Sequence, residues 1–304
     1  MALRCTACSP PPSFSPTIPD GSAYVVRVSG PTATVVAGGV EYEAGIPPRI
    51  PGGPIVAGDV VELAGDLASP RIRAVGARRT LLARGDFGTR NRARPLVANA
   101  DVLLVVAATV DPPFRSRFVD RYLAAGELGG LECAIVLTKT DLPHDRAEIS
   151  RAIGIYRGIG YTVLTGSSFD PAFVEAVRGL IAGRIAALAG HSGVGKSSLT
   201  SALTGVPRAI GEVSRTGAGR HTTSDPRLIC LPGGGAVVDT AGVRTFYLPP
   251  TSAPELARAF PEIDAAADNC RFRGCRHMGE AGCAVEGAVS PERLDSYRRL
   301  LEIV

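Results

Sequence analysis

Lysine is almost missing from this chain. Of 33 basic residues in 304, only Lys139 and Lys196 are lysine, and all the others are arginine. A compact ammonium on a flexible stem does not do the work of a planar guanidinium fork. The two lysines therefore mark positions where arginine cannot serve. Long apolar runs are also missing. The longest, residues 102–110, is too short to cross a bilayer, so no membrane span or membrane partner is expected. The first residues hold one arginine, several prolines and no apolar stretch of a secretory signal, which makes the cytoplasm the expected compartment. Hydrophobic residues at 45% and charged residues at 20% exclude a wholly disordered, collagen-like or coiled-coil chain. A chain this long buries roughly three quarters of its unfolded surface and needs no disulfide staples. Its seven cysteines are an odd number, which argues against a fully paired set.

The composition changes along the chain. Residues 1–20, rich in Pro and Ser, read as a disordered leader. Cys5 and Cys8 in it form a CxxC without a second half, read as two free thiols, with a metal site as the alternative. Residues 21–80 hold short β-like runs at 23–28, 32–36, 60–63 and 71–75, punctuated by Gly and Pro. These predict a small antiparallel barrel of the OB-fold type. Arg71, Arg73, Arg78, Arg79, Arg84, Arg90, Arg92 and Arg94 follow closely, against the single acid Asp86. That stretch reads as a solvated basic linker or as an RNA-binding surface beside the barrel.

From residue 81 to 248 the pattern predicts an α/β domain. Apolar runs at 102–107, 133–137, 161–164 and 185–189 alternate with segments whose apolar stripes have helical spacing, Phe118/Tyr122/Ala125 and Phe173/Val177/Leu180. Continuously apolar strands alternating with helices imply a parallel sheet covered on both faces. Cys133 and Cys230 lie in apolar runs and read as core. Residues 249–304 form a third region, with a Cys/His cluster and a terminal helix. Ser290-Pro291 starts that helix, with Leu294, Tyr297, Leu301 and Val304 on one face.

Both lysines fall in motifs. Gly190-His191-Ser192-Gly193-Val194-Gly195-Lys196-Ser197 matches GxxxxGK[ST], with Ser198 next, between an apolar run and a plausible helix. In such a loop, glycines let backbone N–H groups approach phosphates, Lys196 reaches the β/γ-phosphates and Ser197 ligates Mg²⁺. Thr138-Lys139-Thr140-Asp141 is similar to NKxD. A carboxylate at Asp141 accepts from guanine N1–H and the 2-amino group, and adenine would leave it unpaired. Thr138 replaces the commoner Asn, which predicts a weaker tether between loops. Asp239-Thr240-Ala241-Gly242 is a DxxG after a strand: Asp239 would hold Mg²⁺ indirectly, and the Gly242 N–H would meet the γ-phosphate. Gly219-Arg220-His221-Thr222-Thr223 resembles a first switch, with Thr222 or Thr223 for Mg²⁺ and the γ-phosphate. Lys196, Thr223 and His221 are the candidate catalytic residues. His221 enters because Val243 occupies the position of a water-orienting glutamine; packing or RNA contact is its alternative role.

The order of these motifs is unusual. TKTD precedes the P-loop, as in a chain whose GTPase fold has been cut and rejoined elsewhere. The exit then falls just after DxxG, so the following region is tethered to the second switch. That region carries Cys270, Cys275, His277 and Cys283 within fourteen residues. Three thiolates and one imidazole make a closed structural Zn²⁺ site, with disulfides as the alternative. Arg271, Phe272, Arg273 and Arg276 interleave the ligands as an RNA-contacting or ordinary solvated surface.

The ordered set TKTD, GHSGVGKSS, GRHTT, DTAG and Cx4CxHx5C resembles the RsgA family, small-subunit-dependent GTPases of bacteria. The resemblance runs from about residue 22 to nearly the end and includes Val97-Ala98-Asn99-Ala100-Asp101 and Cys283-Ala284-Val285. It implies an N-terminal OB-fold, a circularly permuted P-loop GTPase domain and a C-terminal zinc domain. It also implies GTP hydrolysis stimulated by the 30S subunit, late in that subunit's maturation, with 16S rRNA and GTP/GDP as partners and a monomeric chain. Ala241 and Ala281 replace prolines usual in the family, and Thr165-Gly166-Ser167-Ser168 replaces its Ser-Ala base-contacting segment. A P-loop kinase would not explain TKTD. A non-catalytic rRNA-binding module holding GTP as a structural ligand is the rival from another class.

Overall fold

The structure is a computed structural model that describes residues 22–66, 68–86, 89–205, 226–240 and 246–304. Five strands come first: β1 (Ser22–Ser29), β2 (Thr32–Ala37), β3 (Val40–Gly45), β4 (Val60–Ala64) and β5 (Arg71–Val75). They pair in the order β1-β2-β3-β5-β4, and β4 pairs back onto β1, closing the barrel. Only the β3–β5 pairing is parallel. Alternate residues turn inward, so Ala23, Val25, Ala33, Val35, Ala44, Val61 and Ile72 form its core. Strand β3 was not among the expected runs. Its Glu41, Tyr42 and Glu43 interrupt any apolar pattern, and Ala44 alone is fully buried.

The arginine-rich stretch is partly regular structure rather than a linker. Strands β6 (Leu81–Asp86) and β7 (Thr89–Ala98) form an antiparallel ribbon in which Arg84 faces Arg94, anchored by buried Leu82 and Val97.

The α/β unit follows, as β8 (Val102–Ala108), α1 (Ser116–Leu128), β9 (Glu132–Thr138), α2 (Arg146–Ile159), β10 (Thr162–Thr165), α3 (Pro171–Leu180), β11 (Ile185–Ala189), α4 (Lys196–Thr204), β12 (Arg227–Cys230) and β13 (Ala236–Asp239). The strands lie in the order β10-β9-β8-β11-β13-β12. All pairings are parallel except β12 with β13. Strand β8 shows why the sheet is covered on both faces. Its Leu103, Val105 and Ala107 enter one core with Tyr122 and Leu123 of α1. Val102, Leu104 and Val106 enter another with Phe173 and Val177 of α3 and Leu199 and Leu203 of α4. Each Val, Leu or Phe side chain among these contributes about 1.5–3 kcal/mol by leaving water. Leu180 is only half-buried and packs at the margin of the second core; Cys230 likewise sits half-buried at the margin of the first. Strand β12 also pairs with β1, Arg227 opposite Arg27, which joins sheet and barrel edge to edge.

The C-terminal part holds α5 (Ala253–Arg258), α6 (Pro261–Ala267) and α7 (Pro291–Leu301). Ser290 caps α7 by accepting from the Arg293 N–H, and Leu294, Tyr297 and Leu301 are buried. Val304 does not share that face: the helix ends at Leu301, and Val304 is exposed. One buried ion pair ties α7 to α1. Arg293 donates to Asp120 at 2.6 Å and to Glu262 at 2.6 Å. Tyr156 donates to Asp120 at 2.7 Å, and Ser296 also donates to it. The Arg293 guanidinium lies 4.4 Å from the Phe260 ring centroid.

Candidate nucleotide and metal sites

The C-terminal ends of β8, β9, β10 and β11 open on one edge of the sheet, where ligands of such sheets bind. The P-loop leaves β11 there. Gly190 passes so close to β8 that a Cβ on it would lie 2.2 Å from the Val106 carbonyl oxygen. Gly195 begins α4 at φ +89, a backbone conformation that side chains strain. Both glycines are therefore demanded by the path of the loop. Ser192, Gly193 and Ser197 are exposed at the mouth, while Val194 is buried beneath it.

Lys196 points back under this loop. Its Nζ donates to the Gly190 and His191 carbonyls, each at 2.8 Å, and the residue is 6% exposed. Burial pulls its pKa down to about 8, against the opposing effect of the Asp239 carboxylate. Asp239 ends β13 opposite Leu188, and Thr240 donates to the Leu188 carbonyl at 2.7 Å. The loop carbonyls thus stand in for water around a cation held beneath the phosphate-binding face. His191 meets Phe118 edge-on at 5.3 Å. Ser198 is half-buried in the first turn of α4.

The TKTD segment leaves β9 beside the P-loop. The Thr138 hydroxyl lies 2.6 Å from the Val194 carbonyl and 3.1 Å from that of Ala107. One hydroxyl proton thus keeps the tether for which an asparagine amide would offer two. Lys139 adopts φ +60 and donates to the Asp111 carbonyl. The Thr140 N–H donates to Gly166 at 3.3 Å, so the Thr165-Gly166-Ser167-Ser168 turn lies against TKTD despite its unusual residues. Asp141 is exposed at the rim, where an acceptor must stand to read a base edge.

One contributor escaped the motif reading. Thr109, buried, donates to the Lys139 carbonyl at 2.8 Å and holds the TKTD loop onto β8. The only signal was that it is the one hydroxyl in the longest apolar run. His221, Thr222, Thr223, Gly242 and Val243 lie outside the described residues, as do the leader 1–20 with Cys5 and Cys8. The side chain of Arg90 is likewise outside them; Arg92 and Arg94 are exposed. The chain after DxxG is held on both sides: Arg121 donates to the Phe246 carbonyl at 2.9 Å, and the Gly85 N–H to that of Tyr247 at 2.9 Å.

Cys270, Cys275, His277 and Cys283 converge, with their ligand atoms all within 4.8 Å of one another. His277 Nδ1 lies 3.8 Å from Cys270 Sγ and 3.5 Å from Cys283 Sγ. Ligands on a tetrahedral ion at zinc–sulfur and zinc–nitrogen lengths are separated by about 3.6–3.8 Å, so the two His277 separations match such an ion and the donor set of three thiols and one imidazole suits it. Burial holds His277 below the usual histidine range, which favours the neutral imidazole a metal needs. Glu280 fixes the loop by accepting from the Arg276 and Met278 N–H groups at 3.0 and 2.7 Å. The Ala284 N–H donates to Cys270 Sγ at 3.3 Å, which orients that sulfur toward the cluster.

The RsgA GTPase family model matches residues 75–249. A Pseudomonas aeruginosa (strain LESB58) protein named small ribosomal subunit biogenesis GTPase RsgA is 38% identical over 257 residues, 81% of this chain and 75% of the relative. The crystal structure of YjeQ from Thermotoga maritima superposes with a TM-score of 0.72 at 27% identity, covering 92% of this chain and 97% of that one. That of YloQ, described as a circularly permuted GTPase, gives 0.68 at 24% identity over 92% of this chain and 93% of its own, a likeness of fold. A TKTD loop placed ahead of the P-loop in sequence yet beside it in space is the arrangement of a circularly permuted GTPase, and this chain belongs to the RsgA GTPase family.

Proposed function

We propose that this chain hydrolyses GTP during late maturation of the 30S ribosomal subunit, and that the subunit stimulates the reaction. The observation that carries the reading is the hydrogen bond from Thr138 to Val194, which locks a guanine-type loop onto a phosphate-type loop in one site. Asp141 reads guanine, with Thr138, Lys139 and Thr140 shaping its loop. Gly190 through Ser198 cradle the phosphates, and Gly242 meets the γ-phosphate. Lys196 turns from the loop carbonyls to the phosphate oxygens and stabilises the charge that develops there. Ser197, Thr222 and Thr223 would hold Mg²⁺, with Asp239 acting through water; the ion neutralises phosphate charge. Thr223 and His221 complete the catalytic set, His221 orienting water on the subunit.

The Cys₃His cluster would hold one structural Zn²⁺, closed to water by its four ligands. The sequence boundaries near residues 20, 80 and 248 divide leader, barrel, GTPase domain and zinc domain. A cytoplasmic monomer contacting 16S rRNA fits this reading. Among the described residues no helix is long and apolar enough to cross a membrane.

Single-turnover GTP hydrolysis with and without 30S subunits tests the proposal. Turnover alone should be slow and should rise by about a hundredfold on the subunit, equivalent to about 2.7 kcal/mol of transition-state stabilisation. Asp141→Asn should lose the preference for GTP over ATP in competition binding. Binding without hydrolysis under either condition would instead make GTP a structural ligand of an rRNA-binding module.

A further inference from the structure

A cavity of about 620 Å³ lies between the first turn of α1, the exposed face of α2 and the start of α7. That volume falls within the range of small-ligand sites. A smaller cavity of about 260 Å³ shares Phe114, Arg115 and Phe118 with it and reaches His191 and Val194 of the P-loop.

Its electrostatics are unusual for a helix start. The first turn of α1 has no acidic residue, and no side chain caps it. Arg115 sits at the cap position and Arg117 two residues on, within the first turn, where cations oppose the helix dipole. Arg151 enters from α2. Arg121 lines the inner wall, and its buried Nε has no acceptor. A buried donor without a partner calls for a missing acceptor. Not all the charge is available: Arg117 is paired with Asp295, and Arg293 with Asp120 and Glu262. Among the described residues Arg115 and Arg151 remain without an ion-pair partner, Arg121 keeps one nitrogen on the Phe246 carbonyl and its Nε unpartnered, and Glu148 and Glu292 stand at the rim. Phe114, Phe118 and Ile155 supply an apolar wall.

We infer that this cavity binds one nucleotide unit, separate from the GTP site. Its phosphate lies on Arg121, Arg151 and the first turn of α1, and its base lies on the apolar wall. Glu148 and Glu292 accept from ribose hydroxyls or base amino groups, and their charge disfavours a polyphosphate. The Phe118–His191 contact places the occupant one side chain from the P-loop. A free mononucleotide and an unpaired nucleotide of RNA share this chemistry.

The test uses the full chain saturated with a non-hydrolysable GTP analogue, titrated with AMP and, separately, with a short oligoadenylate RNA. Adenine keeps the probe out of a guanine site. Saturable binding of AMP alone identifies a free nucleotide, and binding of the RNA identifies an RNA nucleotide; either supports the site. Arg151→Glu and the cavity-filling Ala152→Phe should each weaken the probe by about tenfold or more while leaving the affinity for the GTP analogue unchanged. In crystals soaked with AMP, phosphate density should lie beside Arg121. Absence of saturable binding by both probes at millimolar concentration overturns the inference, as does binding that neither variant alters.

Discussion

Strand β8 buries all seven of its residues, whereas residues 270–289 contain no helix or strand and bury only His277, Val285 and Val289. The first region excludes water by apolar packing on both faces, so its order follows from hydrophobic area. The second has too little apolar surface for that and instead brings four ligand atoms within 4.8 Å. Burial alone would leave it loose, because the entropy cost of ordering a chain needs compensation that three buried side chains do not supply. The contrast teaches that one chain can order neighbouring regions by different forces, and that the forces can be removed one at a time.

Metal removal should separate them most sharply. Structural zinc contributes apparent binding energies of about 10–16 kcal/mol in small domains. Chelation should therefore abolish hydrogen-exchange protection across residues 270–289, while β8, β9 and β11 keep theirs and GTP still binds. Simultaneous loss of protection in the sheet would show that the two regions are one cooperative unit.

The next largest effect belongs to the seam between them. Arg293→Met leaves Asp120 buried without its cation, and removing one partner of a buried pair costs about 3–5 kcal/mol. Urea unfolding should show that loss. The triple variant Arg293→Met with Asp120→Leu and Glu262→Gln should recover part of it, since no unpaired charge is left and only the Tyr156 and Ser296 hydroxyls lose their acceptor. A cost below about 1 kcal/mol, as for an exposed pair, would mean that the ion pair does not hold the regions together.

The smallest effect probes Lys196, the cation buried beneath the P-loop. Burial lowers Lys196 to about 8 before nucleotide arrives, and phosphate charge favours its protonated form. Above that pH, binding must take up a proton, so affinity should fall by up to about tenfold per pH unit. Well below it, Lys196 is already charged and makes no such contribution. Calorimetry at pH 9 in buffers of different ionisation heat should reveal the uptake; identical heats would mean that Lys196 stays protonated in the empty loop.

Short-range patterns were the legible part. Strands β5 and β11 begin and end where the β-like run at 71–75 and the apolar run at 185–189 do, because such short patterns are set by neighbouring residues. The P-loop, TKTD and the Cys₃His spacing were legible for the same reason: each places its donors within a few residues. Strand β3 was hidden because Glu41 and Glu43 face water on a barrel whose closure depends on β5. The β6–β7 ribbon was hidden by its arginines, which read as linker until paired across the turn. Val304 was misread because helical spacing continues on paper past the point where α7 stops packing.

What the amino-acid sequence determined by itself was a set of motifs: residue types at spacings that suit phosphate, guanine or metal, and the order in which they occur. The spacing of a motif is a local property, and the scarcity of lysine made two of its positions conspicuous. Only the tertiary structure decided which motifs share a site and what joins the regions. Thr138 meets Val194 across 56 positions, and Asp120 meets Arg293 across 173. Contacts at such separations leave no periodicity to read, because they exist only once strands have paired and helices have packed.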